Sequence, residues 1–263
     1  METRIDEIAD RIYCISTHVA DIGPRGFGFN QILVQADEPL LFHCGMRALF
    51  PQVREAVARV MPPERLRWLS FAHVEADECG AMNAWLAAAP GAQVLHGEVG
   101  CLVSLNDLAD RRPRAMKDGE GLDLGGRTVR LIATPQVPHN WESIVLFEEC
   151  TRTLLAGDLL ASDGPGPVLD REDVSERVLE AERMFRAHSL APTLGAVFGR
   201  LAQLQPCVLA SMHGRCYEGD GARVLRRIGA GLEVLAEEIA GATAPAGASA
   251  RWRGEELRDA GPP

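Results

Sequence analysis

Short apolar runs separated by turn residues predict strands in both halves of the chain. The strongest local signal is the pair of runs at 31–35 and 40–43, joined by Ala-Asp-Glu-Pro, which predicts a β-hairpin. Further strands are predicted at 11–17, 66–71, 93–96, 122–124, 128–133, 143–148, 153–156 and 207–212. Apolar positions at helical spacing predict helices near 47–60, 78–88, 99–108, 173–187, 192–204 and 222–239.

The order of these elements predicts two strand-rich halves, each with its own helices. Such halves would pack sheet against sheet with the helices outside, which is an α/β (α+β) fold, an αββα sandwich of two mixed sheets. A doubly wound sheet is the alternative. It is disfavoured by the antiparallel hairpins at 31–43 and 143–156 and by the lack of a Gly-x-Gly-x-x-Gly turn after the first strand. We expect one domain over 1–239 and a flexible tail over 240–263, which is rich in Ala, Gly and Pro.

Composition narrows the functional class. The net charge is −10 without a basic patch, which argues against nucleic acid and anionic membranes as partners. There is no apolar run of about 18 residues to cross a membrane, and the charged N-terminus is not a secretory signal. The seven cysteines include no Cys-x-x-Cys pair, which favours reduced thiols in a cytoplasmic protein and disfavours a tetrathiolate metal site.

The strand predicted at 66–71 leads into the densest cluster of chemically active side chains. His73, Glu75 and Asp77 alternate, so in extended chain they point to the same side. Such a concentration of carboxylates is costly unless positive charge compensates it, and a metal cation commonly does so. The alternative is a polar strand-to-helix turn in which Asp77 caps the helix.

Three other predicted strands end at a candidate metal ligand. His139 follows the strand at 128–133, Asp158 follows 153–156, and His213 follows 207–212. Taken singly, each would more often be a surface residue or a turn. Together with the stretch at 73–78, they provide four strand endings that each deliver His, Asp or Glu, and ligands from separate strands are what fix the geometry of a metal centre.

This set of motifs resembles the metallo-β-lactamase fold, and within it the diiron domain of flavodiiron proteins and their stand-alone oxygen-binding diiron relatives. The superfamily motif is His-x-His-x-Asp-His, and the flavodiiron branch has glutamate at the second position, as this chain has at Glu75. The eighteen residues between His139 and Asp158 match the family spacing. The resemblance covers about residues 10 to 235 and independently implies the αββα fold.

The resemblance implies a dinuclear metal centre. His73, Glu75 and His139 would hold one metal, Asp77 and His213 the other, and Asp158 would bridge them. Two iron ions are expected, with zinc or manganese as alternatives. A carboxylate is a harder donor than imidazole, so glutamate in place of histidine moves the preference from zinc toward iron or manganese.

The chain departs from the family pattern at Glu78, where the family has histidine. If Glu78 binds metal, three histidines and four carboxylates would surround two divalent ions. If it turns to solvent, the second metal loses a ligand. We expect Glu78 to be a ligand, because the substitution is by another coordinating residue.

The resemblance leaves three functions open. The first is a diiron protein that binds, senses or reduces O2 or NO. We expect no FMN site in this chain, so reduction would need an external redox partner. The second is a zinc or manganese hydrolase that uses a metal-bridging hydroxide. The third is a non-catalytic metal-binding sensor. The oligomeric state, including a homodimer, is left open.

A second tier of residues is predicted to line the pocket or to be uninvolved. The candidate pocket residues, all near ligand loops, are Phe27, Phe29, Trp141 and Tyr217. The remaining histidines have no place in the motif and are interpreted as structural or exposed; they are His18, His43, His96 and His188.

Overall fold

Two seven-stranded sheets form the centre of the fold. The computed structural model describes residues 3–22 and 25–243. The first sheet contains, in spatial order, β1 (Thr3–Ala9), β2 (Ile12–Val19), β3 (Phe27–Val34), β4 (Leu40–Phe42), β5 (Trp68–Ser70), β6 (Gln93–Gly97) and β7 (Arg114–Met116). The strands of the second sheet are β8 (Gly121–Asp123), β9 (Thr128–Ala133), β10 (Ile144–Glu148), β11 (Thr153–Gly157), β12 (Leu169–Asp170), β13 (Val208–Ser211) and β14 (Cys216–Glu218).

Both sheets are mixed, as the sequence predicts. In the first, β1 to β4 are antiparallel and β4 to β7 parallel. The second has the order β12-β14-β13-β11-β10-β9-β8, with β11 parallel to β13. The predicted hairpins are confirmed, since β3 pairs antiparallel with β4 and β10 with β11.

Helices cover the outer faces of the two sheets. Their bounds are α1 (Phe50–Ala58), α2 (Ala76–Cys79), α3 (Met82–Ala88), α4 (Glu98–Gly100), α5 (Asn106–Leu108), α6 (Ser175–Phe185), α7 (Leu194–Gln203) and α8 (Gly221–Thr243). Short 3-10 turns occur at Arg47–Leu49, Pro63–Arg65 and Asp158–Leu160, and a π-helical turn at Cys101–Leu105. The predicted αββα sandwich is confirmed.

The alternation of side chains along the strands separates three apolar layers. In β3, Ile32 faces the core between the sheets, whereas Leu33 faces the layer under α1 and α3. On the second sheet, Leu146 faces the inner core, while Val145 packs under α6, α7 and α8. Central strands such as β3 and β10 are therefore buried on both faces, which explains their continuous apolar sequences.

Several elements differ from the prediction. β1 was not predicted because it is an edge strand with polar side chains on its open face, so its sequence lacks a buried strand's apolar run. The helix predicted at 78–88 is two helices, α2 and α3, and β7, β12 and β14 are too short for a periodic signal. The last helix continues to Thr243, past the predicted domain end, and the rest of the predicted tail lies outside the described residues.

Hydrogen bonds between the sheets bring the loops that carry the candidate ligands together. The amide of Ile144 in β10 donates to the carbonyl of Ala72 at 2.8 Å, next to His73. Asn30 in β3 donates through its side chain to the carbonyls of Ser211 and Gly214 at 2.9 Å each. The ends of β5, β11 and β13 therefore meet at one edge of the sandwich. Among the described residues, none of the helices combines the length and apolar character needed to span a membrane.

Candidate metal centre

Three side chains converge closely at this edge of the sandwich. Nε2 of His73 lies 2.8 Å from both Oε2 of Glu75 and Nε2 of His139, and the last two atoms are 3.1 Å apart. Oδ2 of Asp158 is 3.9 Å from Nε2 of His73. One donor atom from each of the four residues lies within 4.8 Å of all the others. We call His73, Glu75, His139 and Asp158 the first cluster.

The other oxygen of Asp158 faces a second group. Nε2 of His213 lies 3.3 Å from Oδ1 of Asp158 and 3.2 Å from Oδ2 of Asp77. We call Asp77, His213 and Asp158 the second cluster. Asp158 is thus shared, with one carboxylate oxygen toward each cluster. Oδ1 of Asp77 and Oδ1 of Asp158 are buried and lack a hydrogen-bond partner, so both retain lone pairs for a cation.

The backbone around the ligands explains how each is presented. Gly157 precedes Asp158 with φ of +54°, and a Cβ there would lie 2.5 Å from that of Ala72, so only glycine allows this turn. Glu75, not Asp77, occupies the N-cap position of α2, and no side chain caps that helix. Asp77 instead faces His213, which disfavours the alternative of a simple capping aspartate.

The outer nitrogens of two imidazoles are held by backbone carbonyls. Nδ1 of His139 lies 2.9 Å from the carbonyl of Ala187, and Nδ1 of His213 lies 2.8 Å from that of Gly28. A carbonyl can only accept, so Nδ1 donates in both residues and Nε2 is the nitrogen that faces the cluster. This is how metal-binding imidazoles are commonly oriented.

The electrostatics of both clusters favour added positive charge. Burial alone would lower the pKa of His73, but Glu78, Glu75 and Asp158 outweigh it and raise the pKa to about 10. Asp158 and Asp77 likewise outweigh burial and raise the pKa of His213 to about 9. Hydrogen bonds from His139 and His73 hold the pKa of Glu75 well below its usual value. The carboxylates thus attract cationic charge, whether from a proton or a metal ion.

The donor set fits the two-metal hypothesis. Imidazole nitrogens and carboxylate oxygens suit iron, manganese or zinc, and a shared carboxylate suits a pair of ions. The group of candidate ligands found within the described residues contains His, Asp and Glu but no cysteine.

The Glu78 side chain occupies a different position from the other predicted ligands. It is fully buried, and its Oε1 lies 3.4 Å from Nδ1 of His73, behind the ring and away from the first cluster. Burial, reinforced by Asp158 and opposed by His73, raises the pKa of Glu78 to about 8. Within the described residues no hydrogen bond or ion pair joins Glu78 to Asp77 or His213, although the charge of Asp77 also contributes to the raised pKa of Glu78.

A small cavity opens beside the two clusters. Its volume is about 220 Å³, and it is lined by Phe27, Glu75, Asp77, His139, Asp158, Ala161, Ala181, Glu182, Phe185, Ala187 and His213. The ring of Phe27 lies 4.4 Å from that of His213 and 5.5 Å from that of Phe185. The candidate ligands thus line part of the cavity, and the rest is lined by apolar side chains and Glu182.

The four predicted pocket residues have different outcomes. Phe27 lines the cavity, and Phe29 packs edge-to-face on His213 at 5.3 Å. Trp141 is 59% exposed and lies outside the cavity, because its loop turns it to solvent. Tyr217 is buried under the helices of the second sheet, since alternation in β14 directs Cys216, not Tyr217, to the core between the sheets.

Sequence reasoning missed the wall that α6 provides. Ala181, Glu182 and Phe185 come from α6, and Ala187 follows it. The signal available was the exposed apolar pair at the end of a helix that is otherwise amphipathic, Met184-Phe185. That signal alone does not say which surface the helix end approaches.

Residues 27–214, which include every predicted ligand, match the family described as ODP family beta lactamase. The chain belongs to this family. The ODP-family region starts at β3 and ends just after His213, so both clusters lie inside it.

Relatives of this ODP-family chain include longer redox proteins. It is 24% identical over 210 residues to the rubredoxin-oxygen oxidoreductase of Megalodesulfovibrio gigas, covering 77% of this chain and 52% of that protein. It is 25% identical over 236 residues to the coenzyme F420H(2) oxidase of Methanothermobacter thermautotrophicus, covering 84% and 58%. The chain therefore spans little more than half the length of these relatives.

Solved structures confirm the fold. The rubredoxin oxygen:oxidoreductase from Desulfovibrio gigas superimposes with a TM-score of 0.75 at 21% identity, covering 89% of this chain and 62% of that one. The Flv1 flavodiiron core from Synechocystis sp. PCC6803 gives a TM-score of 0.77 at 20% identity, covering 88% and 61%. The structural resemblance to flavodiiron proteins that the sequence indicates is thus confirmed.

Proposed function

We propose that this chain binds two metal ions, iron in the preferred case, at which O2 or NO is bound or reduced. The observation that carries the proposal is the position of Asp158. Its Oδ2 faces the first cluster, and its Oδ1 faces the second at 3.3 Å from Nε2 of His213. A carboxylate shared between two groups of nitrogen and oxygen donors is the arrangement that a dinuclear centre requires.

The ligands divide between the two ions by proximity. His73, Glu75 and His139 would hold the first ion, and Asp77 and His213 the second, with Asp158 between them. When bound, a pair of iron ions would supply sites for a diatomic molecule and the capacity to pass electrons to it. The protein's part is to orient the imidazoles through their Nδ1 atoms and to keep the carboxylates ionised.

The cavity supports a small substrate. Its volume of about 220 Å³ is below the range of about 300–1,000 Å³ usual for drug-sized ligands. Phe27, Phe185 and the lining alanines offer no side-chain hydrogen-bonding groups to a larger polar substrate, and the Glu182 carboxylate is already paired with Nδ1 of His188 at 2.9 Å. A diatomic molecule is small and apolar enough to enter such a space, which favours O2 or NO over a hydrolysable ester or amide.

Electrons for reduction would come from another molecule. The names of two relatives specify an electron source, rubredoxin in one and coenzyme F420H2 in the other. This chain spans 52% and 58% of those relatives, so the source of electrons remains a separate question. We propose an external redox partner, and without one the same centre would act as an oxygen or NO sensor.

Metal analysis of protein purified without added metal tests the proposal. We expect two irons per chain, a near-ultraviolet absorption that changes on anaerobic reduction, and O2 consumption when an artificial electron donor is supplied. Zinc as the bound metal, together with esterase or lactonase turnover and no O2 consumption, would contradict the proposal and favour the hydrolase alternative.

A further inference from the structure

We propose that Glu78 is a positioning residue that, together with His43, holds His73 in the orientation needed to bind the first ion. The inference rests on the proposed metal centre. It replaces the expectation that Glu78 is itself a ligand, and it gives His43 a role that its sequence position does not suggest.

Glu78 contacts His73 at two points. Its Oε2 accepts the backbone N–H of His73 at 2.7 Å, and its Oε1 lies 3.4 Å from Nδ1 of the same residue. Both side chains are fully buried. The carboxylate thus contacts both the backbone N–H and Nδ1 of His73, while Nε2 of the same ring faces Glu75 and His139.

His43 approaches the same oxygen from another direction. Its Nε2 lies 3.5 Å from Oε1 of Glu78, and its Nδ1 lies 3.3 Å from the carbonyl of Asn30. His43 adopts φ of +67°, a conformation that is uncommon for a residue other than glycine and that persists only where the surroundings enforce it.

The backbone holds His43 and Glu78 in register. The amides of Cys44 and Gly45, directly after His43, donate to the main-chain carbonyl of Glu78 at 2.6 and 3.3 Å. Gly157 closes the remaining side, where an added Cβ would lie 3.6 Å from Oε1 of Glu78. The loop after β4, the helix α2 and the turn before Asp158 therefore enclose one small polar chamber.

Three atoms in this chamber are buried and lack a hydrogen-bond partner. They are Nε2 of His43, Nδ1 of His73 and Oε1 of Glu78. Unpaired buried polar groups are costly, so Nδ1 of His73 facing Oε1 of Glu78 indicates a hydrogen bond in which the imidazole donates and the carboxylate accepts. With Nδ1–H of His73 donated to Glu78, Nε2 of His73 presents its lone pair to the first ion.

The three proposed ligand histidines differ in the group that faces their Nδ1 atom. Nδ1 of His139 and of His213 each faces a neutral backbone carbonyl. Nδ1 of His73 faces a carboxylate. A carboxylate partner raises the basicity of a metal-binding imidazole, so His73 should be the strongest of the three nitrogen donors.

The two roles of Glu78 predict loss of different ions. A positioning residue behind His73 affects the first ion, whereas a ligand beside Asp77 and His213 would affect the second. Two backgrounds separate them: His213→Asn leaves only the first cluster intact, and His139→Asn leaves the second with its own ligands. Zn²⁺ affinity can then be measured by chelator competition in each background.

In the His213→Asn background we expect Glu78→Gln to lower Zn²⁺ affinity by about 10–100-fold, the usual effect of removing a partner of a ligand histidine. In the His139→Asn background Glu78→Gln should leave affinity unchanged. A matched control is Glu148→Gln, which removes an equally buried carboxylate paired with Arg127 at 3.5 Å. The control should change affinity in neither background.

Opposite selectivity, with affinity lost only for the second cluster, would overturn the inference and restore Glu78 as a ligand. No change in either background would also overturn it. Failure of the wild-type chain to bind Zn²⁺ would instead refute the proposed metal centre, and the positioning role with it. His43→Gln should weaken binding of the first ion by a smaller factor than Glu78→Gln.

A second measurement needs no variant at Glu78. In the Zn²⁺-loaded wild-type chain labelled with ¹⁵N-histidine, Nδ1–H of His73 should give a resolved proton signal that is protected from solvent exchange. His139→Asn and His213→Asn assign the signal by elimination. A His73 Nδ1 without a proton, or with a rapidly exchanging one, would contradict the hydrogen bond to Glu78.

Discussion

The two clusters share Asp158 but differ in how completely this chain surrounds them. In the first, Nε2 of His73 lies within 2.8 Å of donor atoms from both Glu75 and His139. In the second, one imidazole links the two carboxylates at longer separations, since Nε2 of His213 lies 3.2 Å from Oδ2 of Asp77 and 3.3 Å from Oδ1 of Asp158. The residue that would be a further ligand there, Glu78, lies behind His73 instead.

The difference has a consequence for the two ions. With more donors and an imidazole supported by a carboxylate, the first cluster should bind its ion more tightly. With fewer donors from the protein, the second should leave more coordination positions open to solvent or substrate. An asymmetric pair of this kind would combine one anchoring ion with one more accessible ion at the cavity.

The largest expected effect comes from the shared carboxylate. Asp158→Asn removes a charge that faces both clusters, so it should lower the affinity for both ions by at least about 100-fold, more than the loss of a residue that only supports a ligand. Metal content after dialysis measures the effect. Asp170→Asn is the control, because Asp170 is also buried but pairs with Arg215 at 2.7 Å outside the cavity. Loss of only one ion from Asp158→Asn would show that the carboxylate is not shared.

The next prediction separates the clusters. His139→Asn should release the first ion and leave a weakly bound second one, whereas His213→Asn should release the second and leave a tightly bound first one. Competition with chelators of graded affinity measures both residual constants. Equal residual affinities would remove the asymmetry between the clusters, and a tighter ion in His139→Asn would reverse it.

Acidification should lower the affinity of the chain for both ions. The pKa is raised to about 10 at His73 and about 9 at His213, so both imidazoles carry a proton at neutral pH that metal binding must displace. Affinity should therefore rise by up to about tenfold per pH unit for each proton released. Calorimetry in buffers of different ionisation enthalpy counts those protons between pH 6 and 8. Binding that is independent of pH would contradict the protonated state of these residues.

The same pKa values also predict how the stability of the metal-free chain depends on pH. A histidine whose pKa is higher in the folded chain than its unfolded value of about 6.5 stabilises the fold, and this contribution is fully present below a pH of about 6.5. The contribution of His73 is therefore lost as the pH rises through about 10, and that of His213 as it rises through about 9. Metal should thus stabilise the chain most at high pH, which thermal unfolding with and without Zn²⁺ can measure.

Much of the site could be predicted from the sequence because its ligands follow strands that are easily recognised. His73, His139, Asp158 and His213 each follow an apolar run, and strand ends of a sandwich meet at common edges. The family pattern supplied the pairing of these residues into two groups, which the distances now match. The predicted ligand roles themselves await the metal measurements above.

Side-chain direction within short irregular segments could not be predicted. Glu78 lies in a helix of four residues, Ala76–Cys79, where spacing alone does not decide which side of His73 its carboxylate approaches. Tyr217 lies in a strand of only three residues, which is too short to show a period of alternation. A shift of one residue there would exchange the faces of Tyr217 and Cys216, so the sequence does not decide which of them points to the core. His43 lacks any motif, and its position depends on hydrogen bonds that the two following amides, of Cys44 and Gly45, donate to the carbonyl of Glu78.

The smallest expected effect concerns the cavity wall. The ring of Phe27 lies 4.4 Å from that of His213, so it touches the second cluster but not the first. Phe27→Leu should lower affinity for the second ion by less than about tenfold, because an aromatic pair contributes about 0.5–1.5 kcal/mol. Affinity for the first ion should not change, which Zn²⁺ titration in the His213→Asn background measures.

Phe185→Leu is the matched control for this wall. Phe185 packs on Phe27 with ring centroids 5.5 Å apart and lines the same cavity, without a ring contact to His213. The control should therefore leave affinity for the second ion unchanged while widening the cavity as Phe27→Leu does. If both variants weakened the second ion equally, the effect would come from the cavity as a whole. If only Phe27→Leu did so, the second cluster would depend on a protein contact that the first does not need.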